Sequence, residues 1–235
     1  MNSITLDDLR SAELARIPEL RKQFANLFST YGDLTSIEEY DYFKGTVSLQ
    51  VFHQRMQFFF VNQTALLKRQ GINHTTFGDF INSAQNNAFC TTIDTTSYIG
   101  LHIGSWVKLN FLFSILGLGL ELNLSEESRK EEITKIEEYH RLALCILNVD
   151  DLQELKKLKD IYSKLNPSSF SCNATLCCME FILAHEYYHI LLGHTRHLND
   201  YKNGYTLNEI ENNSDKTNEV VIPNVDFHTL ELEAD

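Results

Sequence analysis

The stretch Phe181–His194, FILAHEYYHILLGH, constrains this chain more than any other. Apolar residues at Phe181, Ile182, Leu183, Ile190, Leu191 and Leu192 make it the body of a helix, which Asn173 or Ser171 is expected to cap at its start and Gly193 at its end. His185 and His189 are four residues apart, so on a helix they stack on one face, one turn apart, and both imidazoles reach one metal ion. Glu186 lies at the neighbouring edge of that face. From there a carboxylate takes a proton from a metal-bound water without being a ligand.

Two histidines do not complete a hydrolytic zinc site, which needs three protein ligands and one open position. A third histidine in the metzincin spacing would stand at position 195, where the chain has Thr195. A carboxylate is therefore expected. Glu209, Glu211, Asp215 and Glu219 fall in 199–224, rich in Asn, Asp, Lys and Gly, which reads as a long loop, and Asp226 falls at a helix cap. Glu231 lies on a short helix expected over 226–235, with Asp235 one turn further along the same face. Glu233 is rotated about 200° from Glu231, so only one of the two is expected to bind metal, and Glu231 is preferred. Asp235 then accepts the other ring proton of a ligating histidine. His228, His194, Tyr188 and Tyr205 are candidate donors to a transition-state oxyanion by nearness in sequence alone. For His194 and His197 the plainer expectation is a pair of helix-end histidines near the negative end of the helix dipole.

The remainder of the chain is read as helices around a small sheet. Leu6–Tyr31 has amphipathic helical spacing interrupted near Pro18, and 46–70 reads as a central helix. His53 on that helix is expected to be packed or at its rim rather than a ligand. Residues 71–85, punctuated by Gly71, Asn73 and Gly78, read as a connection with a short helix. Asn87–Ser105 is rich in Thr, Ile, Tyr and Phe and reads as a hairpin turning at Asp94 and Thr95. A strand beside a protease metal commonly pairs with extended substrate, and His102 is weighed as a cleft residue against a plain sheet-face residue, which is preferred. Trp106–Leu122 is the most apolar run, yet Lys108, Asn110, Gly117 and Gly119 make it a buried core helix rather than a membrane span. Two charged helices follow, one starting at Ser125 and one capped by Asp150 and ending before Pro167; His140 is expected on the surface.

The 235 residues suit a single domain, and a formal charge of −12 argues against a nucleic-acid partner. The first residues carry acids and no apolar h-region, so no secretory signal is expected. The cytoplasm is therefore the expected compartment, and five cysteines without CxxC spacing are expected to be reduced.

The motifs His185-Glu186-Tyr187-Tyr188-His189 and Glu231-Leu232-Glu233-Ala234-Asp235, in that order, resemble the gluzincin metallopeptidases with HExxH followed by ExxxD. Asn87-Ala88-Phe89-Cys90 resembles the NAFA strand that HtpX-like and CAAX-prenyl-protease-like peptidases place before the active helix. The ending HILLGH is similar to soluble peptidases of the ImmA/IrrE and Lit type. The resemblance implies zinc ligands at His185, His189 and Glu231 and a general base at Glu186. The chain lacks the membrane spans of HtpX-like enzymes, so their membrane substrates are not carried over, and the resemblance covers the chain from Asn87 onward, not residues 1–86.

The expected fold class is α+β: one mainly helical, zincin-like domain over 1–235 with a small β-sheet beside the HExxH helix. Its parts are a helical N-terminal part (1–86), strands (87–105), a helical insertion (106–170), and the HExxH helix with its loop and ExxxD segment (171–235). The expected function is zinc-dependent hydrolysis of peptide bonds in an intracellular protein or peptide, with no nucleic-acid or membrane partner. The alternatives are a catalytically silent zincin-fold interaction protein and a membrane-associated zinc protease.

Overall fold

Thr, Tyr, Ile and Phe concentrate between residues 75 and 102, and there the chain builds its sheet. The computed structural model of the chain describes residues 18, 22–25, 28–29, 49–121, 137–138, 141–142, 144–157, 169–195 and 207–208. Strands β1 (Thr75–Ile81), β2 (Ala88–Ile93), β3 (Thr96–His102) and a two-residue β4 (Leu207–Asn208) lie in the order β1-β3-β2-β4. β2 and β3 form an antiparallel hairpin, with Ala88 opposite Leu101 and Ile93 opposite Thr96. Its turn holds Asp94 at φ 54°, a left-handed position that an aspartate tolerates. β1 runs parallel to β3, from Thr75 beside Thr96 to Ile81 beside His102.

Strand residues alternate between two faces, and each face has its own core. Phe80, Ala88, Cys90, Ile99 and Leu101 join the larger core, which is completed by helices α1 (Leu49–Arg69), α2 (Ile103–Glu121), α3 (Leu152–Lys157) and α4 (Ser169–Leu191). On the other face Ile81, Phe89 and Tyr98 meet Phe24, whose ring centroid is 5.4 Å from that of Tyr98. Phe52, Phe80 and Trp106 pack ring to ring in the larger core, with centroids 5.5 to 6.5 Å apart. Burial of side chains of this size contributes about 1.5–3 kcal/mol each.

The loop between β1 and β2 is fastened to the first turn of α2. Gly104 N–H donates to the Ser83 carbonyl, and the Ser105 hydroxyl donates to the carbonyls of Gln85 and Asn87. A Cβ on Gly104 would collide with the Ala84 carbonyl, so this close crossing of two backbones requires glycine.

The α+β class, the central helix and the hairpin agree with the expectations from sequence. The apolar run is a buried helix that starts at Ile103 and packs along α4. Among the described residues no helix is long and apolar enough to cross a membrane. Lys108 is buried within α2 and donates to the Leu147 carbonyl at 3.2 Å. Burial lowers its pKa, and the charge of Asp150 opposes that shift.

Three expectations are corrected. Residues 71–85 hold no short helix; Thr75–Ile81 is a full strand. Gly78 is not a breaker there but the place where the Phe60 ring of α1 lies against the strand. Helix α3 is capped by Asp151 rather than Asp150, since the Asp151 carboxylate accepts from Gln153 N–H at 2.7 Å. Helix α4 begins at Ser169, so Ser171 and Asn173 lie inside it, and the Ser171 carbonyl accepts from the Thr175 hydroxyl. Residues 6–31 are helical where described except at Phe24, a turn, and 125–147 are helical where described. Within the stretch expected to be a long loop, Leu207–Asn208 forms β4.

Candidate functional site

Helix α4 carries the HEYYH segment with its polar residues turned inward. His185 is 5% exposed and Glu186 and His189 are 1% exposed each, so three polar side chains are buried within one turn of the helix. Tyr187 anchors the same turn: its ring meets Phe59 edge-on at 5.1 Å, and its hydroxyl donates to Gln63 Oε1 at 3.5 Å. Burial pushes the Tyr187 phenol pKa up, so it stays protonated. An exposed Arg55–Glu180 ion pair at 3.2 Å also ties α1 to α4 and is worth at most about 1 kcal/mol.

The two histidines meet as the spacing predicts. His185 Nε2 and His189 Nε2 are 3.0 Å apart, with the rings nearly perpendicular at 80°. Two nitrogens each about 2.0–2.1 Å from a tetrahedral zinc stand about 3.3 Å apart, so the pair fits a shared ion with a slight opening. The other nitrogen of His189, Nδ1, faces His194 Nδ1 at 2.9 Å. His194 thus lies on the far side of His189 from the point where His185 and His189 converge. Among the described residues no three His, Cys, Asp or Glu side chains group around one point as a metal site.

His194 is reached because Gly193, at φ 78°, ends the helix and turns the chain back. The next residue, Thr195, is fully buried, and its Oγ1 is 2.6 Å from Thr92 Oγ1 on β2. Thr92 Oγ1 is 2.7 Å from Ser97 Oγ on β3, which is 2.8 Å from His74 Nε2. A row of buried hydroxyls therefore fastens the end of the motif to the sheet. No sequence signal pairs Thr92 with Thr195, because the contact joins residues 103 positions apart.

Of the other candidates, Tyr188 is exposed. His102 is buried against Phe89 at 5.9 Å, on the face of the sheet that carries Tyr98, so it is a sheet-face residue. Its burial lowers its pKa to about 4 and keeps it neutral. His53 is packed between α1 and β1, its Nε2 3.1 Å from Asp79 Oδ1. Asp79 also accepts from Phe80 N–H, and Gln57 donates to the Gly78 carbonyl. Asn87 opens β2 with its side-chain carbonyl accepting from Ala88 N–H. β2 is paired along one edge with β3 and, at Phe89 and Cys90, along the other with Asn208 and Leu207. Glu231, Asp235, His228, His197, Tyr205 and His140 lie outside the described residues.

No protein-family model, curated protein or solved structure matches the chain.

Proposed function

We propose that the chain is a zincin-like metallopeptidase that hydrolyses peptide bonds in a protein or peptide substrate. The observation that carries this reading is the meeting of His185 and His189 through their Nε2 atoms, 3.0 Å apart, on the buried helix that also carries Glu186. His185 and His189 would hold zinc, with Glu231 as the third ligand. Zinc, when bound, supplies a Lewis acid that polarises a carbonyl and makes water more acidic. Glu186 accepts a proton on its carboxylate from the attacking water and returns it to the nitrogen of the leaving amine. Asp235 and His228 enter the reading as a partner to a ligating histidine and a donor to the oxyanion. A donor role for His194 would fall to its Nε2, since its Nδ1 faces His189. An intracellular, cytoplasmic substrate is part of this reading.

A second reading, a silent zincin-fold interaction protein, is favoured by one feature: the chain's own Leu207–Asn208 takes part of the β2 edge where an extended substrate would pair. Digestion of a broad peptide library by the wild type and by Glu186→Gln, with metal content measured on both, separates the two. Cleavage by the wild type alone, with zinc in both proteins, supports the peptidase. Zinc in both with cleavage by neither leaves the interaction protein.

A further inference from the structure

We propose that His194 is a positioning residue that holds His189 in its metal-ligating form, and that Thr195, Thr92, Ser97 and His74 hold His194 in place. This rests on the zinc reading above and assigns a role that the sequence had given to Asp235.

A neutral imidazole carries one proton, so when one ring nitrogen gives its lone pair to a metal the other must carry N–H. His189 turns Nε2 toward His185 and Nδ1 toward His194 Nδ1. With Nε2 given to zinc, His189 has its proton on Nδ1 and donates it across 2.9 Å. His194 Nδ1 is then the acceptor, so His194 carries its own proton on Nε2. Without metal, one Nε2 of the His185–His189 pair must donate to the other. If His189 donates, its Nδ1 is bare and His194 becomes the donor. In that case metal loading switches both rings; if His185 donates instead, His189 already carries its proton on Nδ1 and metal loading keeps that arrangement.

Such a partner works only if it is held still. His194 is buried, and the residue after it is pinned through Thr195 Oγ1 to Thr92, Ser97 and His74 over contacts of 2.6 to 2.8 Å. Loss of such a partner to a metal-bound histidine typically weakens metal binding about 10–100-fold.

The test is a zinc titration in competition with a chromophoric chelator, on the wild type, His194→Phe, His194→Asn and Thr195→Val, with ¹⁵N shifts of the histidine rings recorded on the zinc-loaded wild type. Phe fills the space without an acceptor, whereas Asn places its Oδ1 near the position of the imidazole Nδ1. The expected results are about 10–100-fold weaker zinc binding in His194→Phe and binding within about threefold of wild type in His194→Asn. The ring shifts should put the His189 proton on Nδ1 and the His194 proton on Nε2. Should His194→Phe fail to fold, Thr195→Val keeps the shape of the side chain while breaking the hydroxyl row, and roughly threefold to tenfold weaker binding is expected. Unchanged affinity in His194→Phe, or in Thr195→Val where that variant stands in for it, overturns the proposal while leaving the zinc site intact. Equal losses in His194→Phe and His194→Asn, or a His194 proton on Nδ1, overturn it as well. A wild type that binds no zinc overturns both this proposal and the reading beneath it.

Discussion

Thr195 Oγ1 lies 2.6 Å from Thr92 Oγ1, and through this contact the residue that follows the motif is anchored to β2 beside the hairpin turn. Thr92 also meets Ser97, so it links Thr195 to the rest of the row. Thr92→Val keeps the shape of the side chain but leaves two buried hydroxyls each short of a partner, at a cost of about 1–3 kcal/mol. Urea unfolding should show that loss. The double variant Thr92→Val/Thr195→Val should lose less than the sum of the single variants, because both remove the same contact.

Glu186→Gln removes the proton acceptor and keeps the shape and burial of the side chain. Under the peptidase reading, kcat on a cleavable peptide falls about 10²–10⁴-fold while zinc content is unchanged. Steady-state kinetics alongside metal analysis checks this, and full activity in the variant would remove Glu186 from the mechanism.

His102 gives the fold a pH dependence. Its pKa is about 4 when folded against an ordinary 6.5, so between those values the unfolded chain binds a proton that the folded chain does not. Stability therefore rises with pH across that interval. On acidification from pH 6.5 to 4 the histidine costs on the order of 3 kcal/mol, and the loss levels off below pH 4. The difference between the unfolding curves of the wild type and His102→Phe, measured over pH 4–7, should show that slope; parallel curves would contradict it.

Gly104→Ala places a methyl group against the Ala84 carbonyl, which as backbone cannot swing aside. A loss of about 1–3 kcal/mol by thermal or urea unfolding is expected. Ala at Gly71 meets no neighbouring atom, and its cost should be the smaller one of a positive φ, 78°.

Local pattern made much of this fold legible. The helix expected over 46–70 is found at Leu49–Arg69, and the hairpin turns at Asp94 and Thr95 as the residue types require. The convergence of His185 and His189 follows from a four-residue spacing on any helix. Strand β1 was hidden because Gly71, Asn73 and Gly78 read as breakers. The strand-forming Thr75, Thr76, Phe77, Phe80 and Ile81 were the available signal, with Asp79 tolerated because it bonds His53. The hydroxyl row could not be read from sequence, since it depends on the tertiary crossing of α4 over β2, whereas the His189–His194 contact depends on how the chain turns at Gly193. His194 was legible only as a histidine at a helix end.

The most direct measurement is zinc stoichiometry, taken after loading and exhaustive dialysis, on the wild type and on the His185→Ala/His189→Ala double variant. The account predicts one zinc per wild-type chain and none in the variant, with both folded by circular dichroism. Equal zinc in the two proteins, or none in the wild type, would contradict it.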